Sequence, residues 1–205
     1  MDTPRIAALY GSPRRNGNTA RLLREAVAGA RGAGAPVEEI VLRDLKLSPC
    51  LEIYSCTQDG ECRIRDDFQR VRDLVLACDG LMLASPIFYY TVTAHTKILM
   101  DRFHSLWVKK NWADPRPNPI VSPRRKGLFI SAGATRGKRL FEGSLLSVRY
   151  FFDTLDMDLW HTVLGRGLEY ADDVAKHPDY LEEARRAGKE LAEALRGDAP
   201  AAPGA

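Results

Sequence analysis

The chain has 205 residues, 45% of them hydrophobic and 28% charged, with a formal net charge of +3. That size and balance fit one globular domain with a full hydrophobic core. The basic clusters Arg14-Arg15 and Arg124-Arg125-Lys126 are too short for the stripe of a nucleic-acid binder, and no apolar run reaches the length of a membrane span. The opening "MDTPRIAALYGSPRR" meets Pro-Arg-Arg too early for a signal-peptide core. Nucleic acid and membrane are therefore not expected as partners. The expected location is cytoplasmic, where thiols stay reduced.

Residues 5–10 form a short apolar run that ends at Gly11. Leu22, Leu23, Ala26, Val27 and Ala30 share one face of a helix over 19–33, closed by "RGAGAP". Residues 37–42 read as a strand. The stretch after it holds Cys50, Cys56 and Cys62, three of the four cysteines. A helix over 66–77 starts with Asp66 or Asp67 as N-cap and buries Phe68, Val71, Leu74 and Val75.

The apolar stretch 80–86 is a strand ending at Ser-Pro, and 92–108 a helix. Residues 109–126 are rich in proline and charge and read as a long loop. A strand over 127–133, a helix over 139–155, a strand over 157–163 and an amphipathic helix over 178–196 follow. Residues 1–197 form a single domain in this reading, and the small residues of 198–205 a disordered tail. Apolar strands alternating with helices predict an α/β fold: a three-layer sandwich around a five-stranded parallel sheet.

In such a sheet, ligands sit beyond the C-terminal ends of the strands. The first strand runs into "YGSPRRNGNTARLL" and then directly into a helix. Ser12, Asn16, Asn18 and Thr19 are short polar donors, and Gly11 and Gly17 let the backbone approach a ligand. Arg14 can fork onto phosphate oxygens, and the helix start adds free N–H groups. The loop suits a phosphate monoester. It is neither G-x-G-x-x-G nor a Walker loop. Its plainer reading is a helix cap made by Asn18 or Thr19.

After the 80–86 strand, Pro86 turns the chain away from helix, and Ile87, Phe88, Tyr89 and Tyr90 offer an apolar and aromatic surface, for a ligand ring or for packing. Ser131, Ala132 and Gly133 close the 127–133 strand with small residues. Asp101 and Arg102 read as a structural ion pair on their helix, and His95 as a surface or interface residue.

"GSPRRNGNT" resembles the FMN phosphate loop of the flavodoxin-like NADPH-dependent FMN reductases. Ser85, Pro86, Phe88, Lys97, Asp101 and Arg102 resemble the same family's S-P-x-Y…K…D-R segment, with Phe88 where the family usually has Tyr. The resemblance spans residues 4–165. It implies a flavodoxin-like fold with strand order 2-1-3-4-5, bound FMN, NAD(P)H as cosubstrate and homo-oligomerisation. It further implies that Ser12, Arg14, Asn16, Gly17, Asn18, Thr19, Pro86, Ile87, Phe88, Tyr89, Ser131, Ala132 and Gly133 contact the cofactor. The flavin would carry the chemistry, so no catalytic side chain is assigned. Electrons would pass to a small acceptor such as free flavin or a quinone. Residues 104–126, with Trp107 and Trp112, are expected to wall the site or reach a neighbouring subunit.

One branch of the family, the iron-sulfur flavoproteins, carries C-x2-C-x2-C-x5-C followed by Asp-Asp. Here Cys50, Cys56, Cys62 and Asp66-Asp67 keep that frame, and Ile53 takes the second cysteine position. A four-iron cluster wants four thiolates, so an iron-sulfur cluster is not expected. Cys50, Cys56 and Cys62 remain candidates for a cluster with an outside ligand or a three-thiolate zinc, and Cys56 or Cys62 for a reactive thiol. An electron carrier of the iron-sulfur type and a non-enzymatic flavodoxin-like module are the alternatives to a reductase.

Overall fold

A computed structural model describes residues 3–114 and 125–197. The expected tail 198–205 and most of the proline-rich part of the 109–126 loop lie outside the described residues. Five strands make one parallel sheet: β1 (Ile6–Tyr10), β2 (Val37–Val41), β3 (Gly80–Ala84), β4 (Lys126–Gly133) and β5 (Asp158–Arg166). Their order is β2-β1-β3-β4-β5, as the sequence led us to expect.

The alternation of side chains along each strand splits the core in two. Ile6, Ala8 and Tyr10 of β1 face α1 (Asn18–Gly32) and α6 (Pro178–Arg196), together with Met82, Leu128, Ile130 and Val163. Ala7 and Leu9 face the opposite layer, which holds α2 (Phe68–Ala77), α3 (Ala94–Arg102) and α5 (Glu142–Thr154). α1 and α6 touch through backbone: a Cβ at Gly188 would lie 1.9 Å from the Ala26 carbonyl oxygen.

β3 ends at Ala84, two residues before the sequence suggests. The chain nevertheless stays on β4, with Ser85 N–H donating to the Ile130 carbonyl at 3.0 Å and Ile87 N–H to Ala132 at 2.9 Å. Pro86 has no N–H to add. The helix expected over 92–108 is broken at Phe103 into α3 and α4 (His104–Val108), followed by a π-turn over Lys109–Ala113. The break sits where Arg102 and Phe103 both turn fully into the core.

The expected Asp101–Arg102 pair does not form. Asp101 meets Lys97 one turn back at 2.6 Å, as i,i+4 neighbours do. Arg102 points inward instead and meets Asp66 at 2.6 Å. Asp66 Oδ1 accepts the Phe68 N–H at 3.0 Å, and Gln69 Oε1 accepts the Asp66 N–H at 3.2 Å. That reciprocal pair lies one residue before the N-cap, Asp67, whose own side chain makes no cap bond.

Candidate functional site

The loop between β1 and α1 is held from three sides. Gly11 N–H donates to the Ala84 carbonyl at 2.7 Å, and the Thr93 hydroxyl donates to the Gly11 carbonyl at 2.6 Å. A Cβ at Gly11 would lie 2.0 Å from Thr96 Oγ1 and 2.8 Å from the Ala84 oxygen, so only glycine fits there. Arg24 reaches back from α1 to the Arg15 carbonyl and to Asn16 Oδ1, at 2.6 and 2.8 Å.

α1 begins with Gly17 at its N-cap, no side-chain cap and no acidic residue in its first turn. The cap expected from Asn18 or Thr19 is absent for a physical reason. Asn18 spends its amide elsewhere: Nδ2 donates to the Tyr170 carbonyl at 2.8 Å, and Oδ1 accepts the Val174 N–H at 3.1 Å. Thr19 is buried, and its hydroxyl has no hydrogen-bond partner among the described residues. A 15-residue helix thus presents free N–H groups and a positive dipole end to whatever lies before it.

What lies before it is a cleft of about 190 Å³. Ser12, Arg14, Gly17, Asn18 and Thr19 form one end. Pro86, Ile87 and Phe88 come from the loop after β3, and Ala132 and Gly133 from the end of β4. Ten of the thirteen residues singled out from the sequence therefore line one cleft.

The other three lie elsewhere. Asn16 lines a separate hollow of about 260 Å³ on the far side of the loop, with Tyr10, Arg24 and Glu39. The Tyr10 hydroxyl there donates to Glu39; burial first, and then that carboxylate, push the phenol well above its ordinary range. Ser131 is fully buried behind the cleft wall, and its hydroxyl donates to the Ser85 carbonyl at 2.7 Å. Tyr89 stands wholly in solvent beside the cleft, with φ +49°. Trp107 and Trp112 pack on each other, 5.3 Å between ring centres, and do not line the cleft.

The sequence reading missed the fourth wall. Leu168 and Glu169, which follow β5, close the cleft opposite Pro86. Asp173 shapes this segment: its Oδ2 accepts the N–H groups of Glu169 and Tyr170 at 3.0 and 2.8 Å, and its Oδ1 meets Lys176 at 2.9 Å. Lys176 and then the Tyr170 N–H hold the Asp173 carboxyl below its ordinary range. The ionisable residues lining the cleft are Arg14 and Glu169.

The cysteine loop is a second, separate feature. Cys50, Cys56 and Cys62 are all half-buried and line a void of about 30 Å³ together with Ile53, Arg102 and His104. Ile53 is 58% exposed. Among the described residues, no three His, Cys, Asp or Glu side chains are placed to hold a metal ion. Cys78 is buried, its thiol on the Val75 carbonyl at 3.2 Å.

Known proteins resemble this chain over most of its length. The iron-sulfur flavoprotein MJ1083 of Methanocaldococcus jannaschii is 29% identical over 94% of this chain and 97% of its own. An iron-sulfur flavoprotein of Methanosarcina thermophila is 28% identical over 64% of each chain. Among solved structures, an NAD(P)H:quinone oxidoreductase from Methanothermobacter marburgensis superposes with a TM-score of 0.68 at 17% identity, covering 93% of this chain and 96% of its own. That likeness is one of fold. The sequence model of the NADPH-dependent FMN reductases matches residues 4–142, which takes in the β1–α1 loop and the ends of β3 and β4. This chain belongs to the NADPH-dependent FMN reductase family.

Proposed function

We propose that the chain is an FMN-dependent NAD(P)H oxidoreductase that passes electrons to a small acceptor, free flavin or a quinone, and that it works as a homo-oligomer. The observation that carries this reading is the uncapped start of α1, with the unbonded Thr19 hydroxyl, facing a cleft with apolar walls.

The residues present fit FMN. Backbone N–H groups of Asn18 and Thr19 and the hydroxyls of Ser12 and Thr19 would hold the phosphate, and Arg14 would add charge. The Ser12 oxygen already accepts the Arg14 N–H at 3.1 Å, so its proton stays available to a ligand. Ile87 and Phe88 have their N–H groups on the carbonyls of Ala132 and Thr91, so they offer apolar surface to a ring, not hydrogen bonds. Asn18 acts through the wall it ties down, since both ends of its amide are engaged.

Bound FMN supplies two-electron transfer between NAD(P)H and an acceptor. The protein's part is to bind, orient and keep water out. No cleft side chain is assigned as acid or base: the Arg14 guanidinium offers donors and no acceptor, and Glu169 sits at the exposed rim.

Exposed Phe88, Tyr89 and Tyr90 form the open lip of the cleft. Tyr89 and Tyr90 both hold left-handed backbone, φ +49° and +62°, a strained state for bulky residues. The Phe88–Thr91 pair, bonded at 2.9 and 3.0 Å, fixes this turn. Strain at an exposed lip supports a role toward the cofactor, the substrate or a second subunit.

The alternative of an iron-sulfur electron carrier requires a cluster that this donor set does not fit. Three sulfurs and an exposed isoleucine cannot make four thiolate ligands. Titrating the protein with FMN and with riboflavin, then adding NADPH without air, tests the proposal. FMN binding with bleaching on NADPH supports it; no affinity for FMN would favour a non-enzymatic module.

A further inference from the structure

Arg102 is 1% exposed, yet its Nε has no hydrogen-bond partner. Its other nitrogens are used: Nη1 on Asp66 at 2.6 Å and the Ser48 carbonyl at 3.0 Å, Nη2 on the Ile64 carbonyl at 2.8 Å. The guanidinium also lies over the Phe68 ring, 4.6 Å from its centre. It thus clamps both ends of the cysteine loop from inside. A buried donor left unpaired is costly, about 1–3 kcal/mol, and such groups call for an explanation. Arg102 lines the same void as the three thiols, a space of about 30 Å³, enough to admit a water-sized group.

The chain reverses direction between Cys56 and Cys62. Gly60, with φ +78°, donates its N–H to the Cys56 carbonyl at 2.7 Å. Asp59 closes the turn by accepting the Glu61 N–H at 2.9 Å and meeting Arg63 at 2.6 Å. The turn leaves Cys56 and Cys62 on one void, within reach of each other's charge, with Cys62 against the Arg102 guanidinium. Cys50 enters the void from the other end of the loop.

We propose that Cys62 is a site of reversible oxidation by hydroperoxides, with Cys56 as its disulfide partner and the Arg102 Nε–H as the donor that receives the oxidised sulfur. The Cys62 sulfur attacks one peroxide oxygen. An S–O bond forms, the O–O bond breaks, the sulfur loses two electrons, and the leaving oxygen takes the thiol proton and departs as water or an alcohol. The sulfenic oxygen on Cys62 accepts from Arg102 Nε, which meets that donor's unfilled need. The Cys56 thiol then displaces this oxygen: an S–S bond forms, the S–O bond breaks, and water leaves. A dithiol reductant returns the disulfide to two thiols by exchange and is itself oxidised to a disulfide. With Ile53 at the motif's second cysteine position, these sulfurs fall one short of four thiolates, and on this proposal the loop's chemistry is that of thiols.

The test treats the FMN-loaded protein with hydrogen peroxide, alkylates the remaining thiols and maps them by mass spectrometry. The expected result is one disulfide between Cys56 and Cys62, reversed by dithiothreitol, with Cys50 and Cys78 still free. Cys56→Ser is expected to accumulate a dimedone-reactive sulfenic acid at Cys62, and Cys62→Ser to lose the reaction. Arg102→Lys, read by the rate of Cys62 oxidation, should slow it at least several-fold; should that variant not fold, Cys56→Ser still decides. Even oxidation of all loop thiols, no oxidation, or about four irons per chain in protein purified without air would each overturn the proposal. Flavin bleaching by NADPH, recorded on the same samples, reports separately on the proposed function.

Discussion

The Asn18 side chain fastens the first turn of α1 to the segment after β5, donating to the Tyr170 carbonyl at 2.8 Å and accepting the Val174 N–H at 3.1 Å. The two elements are more than 150 residues apart in sequence and form adjacent walls of one cleft. Asn18→Ala removes both bonds and leaves the Val174 N–H buried without a partner. The expected cost is about 2 kcal/mol, a fall in melting temperature of about 4–8 °C for a chain this size. FMN affinity should fall with it, because the Leu168–Glu169 wall loses its anchor. Thermal melts with and without FMN check both effects.

Thr19→Val keeps the shape of a buried residue and deletes the unbonded hydroxyl. A hydrogen bond to a charged phosphate contributes about 1.5–3 kcal/mol, so FMN should bind roughly 10- to 100-fold more weakly. Riboflavin, which has no phosphate, should bind the variant and the parent alike. Equal losses for both ligands would mean that Thr19 faces the ring and not the phosphate.

Burial alone would raise the Asp66 carboxyl, but the Arg102 guanidinium and the N–H groups of Ser48 and Phe68 outweigh it and hold the group below its ordinary range. A carboxyl lowered in the folded state stabilises above its unfolded value, about pH 4. That contribution is lost as pH falls through the lowered folded value. The parent should therefore outlast Asp66→Asn at neutral pH, and the gap should narrow progressively below about pH 4. Trypsin should reach Arg63 and Arg65 faster in the variant, since the clamp on the loop has weakened. A gap unchanged from neutral to acid pH would contradict this account of the Asp66–Arg102 pair.

Tyr89→Gly separates folding from function at the lip. The tyrosine side chain is fully exposed and its φ is +49°. Relief of left-handed strain, about 1–2 kcal/mol, is offset in part by glycine's larger unfolded-state entropy, about 0.5–1 kcal/mol. The melting temperature should stay level or rise slightly, while FMN affinity or the rate of reduction by NADPH falls several-fold. A variant unchanged in all three would remove Tyr89 from the site.

The parts legible from sequence were those written locally. Apolar strands alternating with helices fixed the sheet, and each strand's last residues pointed to the ligand end. The β1–α1 wall of the cleft was readable because Ser12, Arg14, Gly17 and Thr19 lie within eight residues of one another. What escaped depended on pairing across the fold. Arg102 looked like a partner for its neighbour Asp101, but its partner is Asp66, 36 positions away. Asn18 looked like a cap until its amide was found on Tyr170 and Val174. The Leu168–Glu169 wall had no periodicity to reveal it. Its local signal was Gly167, with φ +73°, followed by Asp173, whose carboxylate accepts the N–H groups four and three residues before it.

The central claim is that this cleft holds FMN and lets NAD(P)H reduce it. The direct measurement is anaerobic stopped-flow mixing of FMN-loaded protein with NADPH while the visible flavin bands are followed. The account predicts rapid bleaching, and recovery of the bands when a quinone is added. Persistent bands under excess NADPH and excess NADH, in protein shown to hold FMN, would contradict it.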